Sequence, residues 1–158
     1  KARSSWTLGG KPLLWVNFVA DPAAFAKGGP IAFAPSYAAG LRDSAAVARA
    51  AIPVERIGGP VLLVSAGDDQ IWPSSVMARH IMQRLRSRRH PYANESLCYA
   101  AAGHLILPPY RPTNANATSF AAGSILFGGE PQAYAFADVD AWQKSLAFLA
   151  RLTTRPGP

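Results

Sequence analysis

The sequence predicts an α/β fold, parallel sheet strands joined by crossover helices, and three observations predict it. First, Val61-Leu62-Leu63-Val64-Ser65 is a continuous apolar, β-branched run, as a strand buried on both faces reads. It breaks at Ala66-Gly67-Asp68-Asp69. Second, Met77, Ile81 and Leu85 repeat every four residues through about Arg88, an amphipathic helical stripe. Third, Ser96-Leu97-Cys98-Tyr99 reads as another strand, and a turn of small residues, 100–103, delivers His104. Strand, helix and strand in that order return the chain to one edge of a parallel sheet.

The remaining elements follow along the chain. Residues 1–35 are rich in Gly, Pro and aromatics, including Trp6, Gly9, Gly10, Trp15, Phe18 and Phe25. Leu13-Leu14-Trp15-Val16 has the makings of a short strand, but so many breakers favour an irregular excursion. Residues 36–51 read as one Ala-rich helix with Arg42 and Asp43 on its wet side. Together, residues 1–51 are expected to form a lid or substrate wall that carries a helix. Gly58-Gly59-Pro60 turns the chain into the first core strand, and Pro73 with Ser74-Ser75 opens the helix that follows, a serine serving as cap. Pro108-Pro109-Tyr110 stops any immediate helix, and 111–119 is polar and Asn-rich, a surface loop. Residues 125–131 are an apolar patch ended by a turn. Residues 138–152 form a helix started by acids, with Val139, Trp142, Leu146 and Leu149 on one face. Residues 52–152 are thus the C-terminal strands and helices of the domain, and 153–158 a flexible tail.

Composition bounds the function. A chain of 158 residues with 49% hydrophobic content buries one core, so a single partial domain is expected. The net charge of +7 and pI near 10.1 invite a nucleic-acid reading. The densest basic group, Arg84, Arg86, Arg88 and Arg89, instead ends the amphipathic helix, where cations suit the macrodipole. No base-stacking aromatics interleave with it, so no nucleic-acid partner is expected. Positive surface does suit a substrate carrying phosphates. No apolar run reaches the length of a membrane span. Cys98 is the sole cysteine, an expected core thiol, and the simpler inference is a reducing, cytoplasmic compartment. His, Cys and carboxylates do not fall at metal-ligand spacing, and no phosphate-cradling Gly-rich loop occurs, so neither metal nor cofactor is expected.

The chemistry lies in Asp69 and His104. Each ends a strand of the same sheet, which is where open α/β sheets place their sites. A carboxylate that accepts from one ring nitrogen fixes the imidazole tautomer and stabilises the imidazolium, two thirds of a Ser/Cys-His-Asp machine. Asp68 competes for the acid role, but the alignment of strand ends and the offset to Pro73 favour Asp69, leaving Asp68 to cap the turn or hold a loop. His80 within a helix and His90 in a basic loop read as non-catalytic. No Gly-x-Ser-x-Gly or Gly-x-Cys-x-Gly elbow occurs in the chain. In sheets of this class the nucleophile precedes the acid and the base, and the first residue is Lys1, not Met. The reading is therefore the C-terminal portion of a longer hydrolase.

Five further stretches carry a resemblance. They are Ile-Pro-Val-Glu-Arg-Ile-x-Gly-Pro-Val-Leu-Leu-Val (52–64), Asp-Asp-x-x-Trp (68–72), Ala-Gly-His-x-Ile-x-Pro-Pro-Tyr (102–110), Gly-Gly-Glu-Pro-x-Ala (128–133) and Asp-Ala-Trp (140–142). In this order they resemble the C-terminal domain of the acyl-CoA thioesterase and bile acid-CoA:amino acid N-acyltransferase family. The resemblance implies an α/β-hydrolase domain behind an N-terminal β-sandwich, with Asp69 as triad acid and His104 as triad base. The family's Ser or Cys nucleophile would lie upstream of Lys1; serine goes with thioester hydrolysis, cysteine with acyl transfer to glycine or taurine. Phe127 stands where the family commonly has Trp, and Leu107 where it commonly has Glu.

The leading expectation is hydrolysis of acyl-CoA thioesters to free acid and CoA, in lipid metabolism. Acyl transfer to an amino acid and a dienelactone-type ester hydrolase are the enzymatic alternatives. A non-catalytic module is the other class: half a sheet with an open edge seeks a partner, either the N-terminal part of the same protein or a second copy.

Overall fold

The computed structural model describes residues 4–20, 22, 28–114, 116–120 and 123–153. Phe25 of the expected lid and residues 154–158 of the expected tail lie outside them. The fold is mixed α/β, and the described residues form three small sheets with helices between them.

At its centre β4 (Val61–Ala66) and β5 (Asn94–Tyr99) run parallel, in register from Val61 opposite Asn94 to Ala66 opposite Tyr99. The crossover is α3 (Ser74–Ser87), packed on both strands. Of its apolar stripe, Leu85 is fully buried. The expected serine cap is absent, because Pro73 occupies the cap position. Ser74 Oγ instead accepts from the Ala66 N–H (3.2 Å) and donates to the Ala66 carbonyl (3.3 Å), joining the helix start to the strand end. Burial of β4 on both faces is corrected: Val64 is 41% exposed. Among the described residues β4 pairs with β5 alone, so nothing continues the sheet beyond it. Cys98 is exposed as well, not the core thiol expected.

Upstream, β1 (Thr7–Leu8) and β2 (Lys11–Pro12) form a two-residue antiparallel hairpin, and 13–20 carry no regular structure. The expected helix over 36–51 is two helices, α1 (Ala34–Gly40) and α2 (Ser44–Ala50). Asp43 is the reason. Its carboxylate accepts from the Ala46 N–H at 2.9 Å and so restarts the helix, while Arg42 and Asp43 are both exposed, as expected. The single-turn 3₁₀ helix Val54–Arg56 then leads into β4.

The Asn-rich stretch expected to be loop ends in a strand. β6 (Ala117–Phe120) pairs antiparallel with β7 (Gly123–Leu126), which pairs in parallel with β3 (Pro30–Ile31). The final helix, α4 (Pro131–Thr153), starts well before residue 138 and takes in Thr153, which the expected tail had claimed. Proline is well tolerated in a first helical turn, where no N–H is required of it. Asp138 and Asp140 therefore lie inside the helix, and the first turn has no acid. The residues that face inward are Tyr134, Ala137, Asp138, Ala141 and Phe148, while Val139, Trp142, Leu146 and Leu149 stay exposed. The core sits beneath the ends of β4 and β5, where Ala66, Ala102, Tyr134 and Ala137 pack with Tyr99, Leu105 and Ile106.

Candidate active site

Asp69 and His104 leave the C-terminal ends of adjacent parallel strands and meet. His104 Nδ1 lies 3.1 Å from Asp69 Oδ1 and 3.2 Å from Oδ2. The Asp69 side chain is only 5% exposed, and that of His104 is 24% exposed. Asp69 Oδ1 also accepts the N–H groups of Ile71 (2.9 Å) and Trp72 (3.0 Å), so the acid loop is folded around its own carboxylate. An ionised carboxylate only accepts, so the ring hydrogen belongs on Nδ1 and Nε2 keeps its lone pair. That is the form a general base needs.

The backbone holds both loops from a third side. The Phe127 carbonyl, just after β7, accepts the N–H of His104 (3.0 Å) and of Gln70 (3.3 Å). The Phe127 ring lies parallel to the imidazole with centroids 6.3 Å apart. Asp68 has the loop-holding role expected of it. Its Oδ2 accepts the Gly129 N–H at 2.7 Å, and its Oδ1 accepts from Gln70 Nε2 at 2.5 Å. Gly128 and Gly129 have φ of 74° and 78°, left-handed values that favour glycine, and a Cβ on either would strike neighbouring backbone.

Helix α4 anchors the floor. Tyr99 Oη donates to Asp140 Oδ2 at 2.7 Å; burial, and then that carboxylate, push the phenol upward, which keeps it a donor. The Asp140 carboxyl is held below its ordinary value by Lys144 and by Tyr99. Burial likewise pushes Tyr134 upward.

Trp72 connects this pair to open space. Its ring meets the imidazole edge to face, with centroids 4.9 Å apart. It also lines a cavity of about 930 Å³ between the N-terminal segment and α2, walled by Trp6, Trp15, Phe18 and Tyr37 with Arg49 at one side. Gly40 lets that wall approach, since a Cβ there would collide with the Asn17 carbonyl. The segment is also tied to the acid loop, because the Phe33 and Ala34 N–H groups both donate to the Gln70 carbonyl, at 2.8 and 3.0 Å.

Other expected residues lie apart from the pair. His80 is exposed on α3, and His90 bridges the Ile57 carbonyl and Asn94 Oδ1. Among the described residues no group of three or more His, Cys, Asp or Glu is placed to hold a metal ion. None of their helices is long and apolar enough to cross a membrane. Phe127, Tyr134 and Asp138 were missed as parts of the site. For the two helical residues a signal existed: beginning the helix at Pro131 sets Tyr134 and Asp138 one turn apart on a single face.

Comparison with known proteins bears on this arrangement. Residues 37–155 match the family described as BAAT / Acyl-CoA thioester hydrolase C terminal. Mouse acyl-coenzyme A thioesterase 3 is 40% identical over 98 residues, 61% of this chain and 22% of that protein. Mouse acyl-coenzyme A thioesterase 2, mitochondrial, is 42% identical over 98 residues, 61% of this chain and 21% of that protein. Human acyl-coenzyme A thioesterase 1 is 39% identical over 100 residues, 61% of this chain and 23% of that protein. The matched stretch thus spans less than a quarter of the length of these relatives.

Proposed function

The chain belongs to the BAAT / acyl-CoA thioester hydrolase C-terminal family, and we propose that it supplies the acid and the base of an acyl-CoA thioesterase of the α/β-hydrolase class. The observation that carries this reading is the Asp69–His104 pair at 3.1 Å, with Trp72 meeting the imidazole edge to face and also lining the cavity. The nucleophile, a serine or cysteine, comes from the preceding part of the same polypeptide. Its hydrogen passes to His104 Nε2 as its oxygen or sulfur bonds to the thioester carbonyl carbon. Collapse of the tetrahedral intermediate breaks the C–S bond, and His104 returns the proton to the departing CoA sulfur. Water then repeats the sequence on the acyl-enzyme, releasing the acid and the nucleophile. Asp69 holds the imidazole throughout and stabilises its charged form.

The aromatic wall contributed by the N-terminal segment is the acyl-binding surface, and the chain's net charge of +7 favours approach of a phosphate-bearing coenzyme. One cysteine in 158 residues favours a reducing compartment, which we read as the cytoplasm, with a role in lipid metabolism.

The test is thioester turnover by the full-length protein, with released CoA trapped by a thiol dye. Asp69→Asn and His104→Ala should each lower kcat by about 10³- to 10⁴-fold. Wild-type turnover by His104→Ala overturns the assignment. Adding glycine or taurine separates the two activities: conjugates formed in place of free acid identify an acyltransferase.

A further inference from the structure

Two buried polar side chains of α4 take no part in the acid–base pair: Tyr134, 2% exposed, and Asp138, 4% exposed. Four residues apart, they project from one face of the helix on successive turns. Both reach the segment that follows His104. The Leu105 N–H donates to Tyr134 Oη at 3.4 Å, and the Leu107 N–H donates to Asp138 Oδ1 at 2.8 Å. Tyr134 Oη donates in turn to the Gly128 carbonyl at 2.9 Å. Gly128 adjoins Phe127, whose carbonyl accepts the His104 N–H. The tyrosine hydroxyl therefore joins the stretch after the histidine to the loop that holds the histidine itself.

A carboxylate is an expensive residue to bury, and an apolar side chain of similar size would fill the same place without that cost. Among the described residues, the one hydrogen bond to the Asp138 carboxylate comes from a backbone amide three residues after His104. Its presence is explained if the position of that amide matters. The imidazole must offer Nδ1 to Asp69 and Nε2 to the nucleophile at once, and a displacement of about 1 Å at such a site costs about 10²-fold in rate.

We propose that Tyr134 and Asp138 are positioning residues for the base, fixing the chain after His104 to α4. This rests on the reading of His104 as the base. Neither residue touches substrate. Their loss is felt in kcat, while acyl binding at the aromatic wall continues.

The experiment uses the full-length protein and acyl-CoA turnover. Tyr134→Phe keeps the ring and removes the hydroxyl; Asp138→Ala removes the acceptor; Asp138→Asn keeps an oxygen for the Leu107 N–H. Tyr134→Phe and Asp138→Ala should lower kcat about tenfold or more with KM within about twofold. Asp138→Asn should restore kcat to within about threefold of wild type, because the amide oxygen still accepts. Wild-type kcat in both Tyr134→Phe and Asp138→Ala overturns the proposal. So does an Asp138→Asn enzyme as slow as Asp138→Ala. If Asp138→Ala does not fold, Tyr134→Phe decides, since its ring still fills the core. His104→Ala separates the two readings. Full turnover by that variant ends the base assignment itself. A dead His104→Ala beside normal Tyr134→Phe and Asp138→Ala enzymes ends only the positioning role.

Discussion

Gly103, immediately before His104, is required by crowding rather than by backbone conformation. A Cβ at that position would lie inside contact distance of Tyr134 Oη and of the Gly128 carbonyl group. Both neighbours are held by hydrogen bonds and cannot simply swing aside. Gly103→Ala should therefore destabilise the protein by about 1–3 kcal/mol, the usual range for an overpacked core. On the proposed role of His104 as base, its displacement should also slow turnover; a denaturant titration run beside the kinetics separates the two effects. Asp69 and His104 were legible in the sequence because strand ends and an intervening helix have patterns of their own. Phe127 was not. It acts through a backbone carbonyl, and a carbonyl leaves no trace in residue identity. Tyr134 was hidden for another reason: apolar periodicity located α4 only from residue 138, so its first two turns carried no visible face.

Among the elements, the crossover helix α3 is fastened to the 3₁₀ turn Val54–Arg56 by one ion pair. Arg84 Nε and one terminal nitrogen reach the two Glu55 oxygens at 2.5 and 2.7 Å, a bidentate pair. Hydrogen bonding to this guanidinium holds the Glu55 carboxyl down to about 2. Because the folded value lies below that of the unfolded chain, the stabilisation is fully present above about pH 4.5 and is lost as pH falls toward 2. The melting temperature should fall across that window, and Glu55→Gln should start lower at neutral pH, where the pair's contribution is missing, and converge on wild type toward pH 2, which flattens part of the fall. A melting series by circular dichroism at stepped pH checks it; an unchanged acid slope in Glu55→Gln would show the pair contributes nothing. Element types were legible from periodicity and breakers, but boundaries were not. One helix became two because Asp43 prefers to cap, and β6 emerged from an Asn-rich stretch because its partner β7 follows within a few residues.

Across the molecule, apolar surface is distributed as though part of a sheet and its cover were elsewhere. Val64 on the central strand is 41% exposed, and on α4 Trp142, Leu146, Leu149 and Leu152 are 45%, 49%, 55% and 42% exposed. A contiguous apolar face of this kind marks a contact surface more often than a solvated one. The sequence pattern had marked Val139, Trp142, Leu146 and Leu149 as one apolar face; the structure turns a different face, built on Tyr134, Ala137 and Ala141, toward β4 and β5. Small residues there let the helix come close to the strands, and the larger side chains are left for another neighbour. We predict that in the full-length protein the preceding strands of the same domain extend the sheet from β4 and cover this face. Leu146→Lys should then cost about 2–3 kcal/mol in the full-length protein, the penalty of a charge at an apolar contact. Gln143→Lys, exposed on the same helix, should stay within about 0.5 kcal/mol of wild type. Equilibrium unfolding of the two variants decides the matter. Equal, small effects would mean that the face meets water in the complete protein, and that the open edge of β4 is closed by something else.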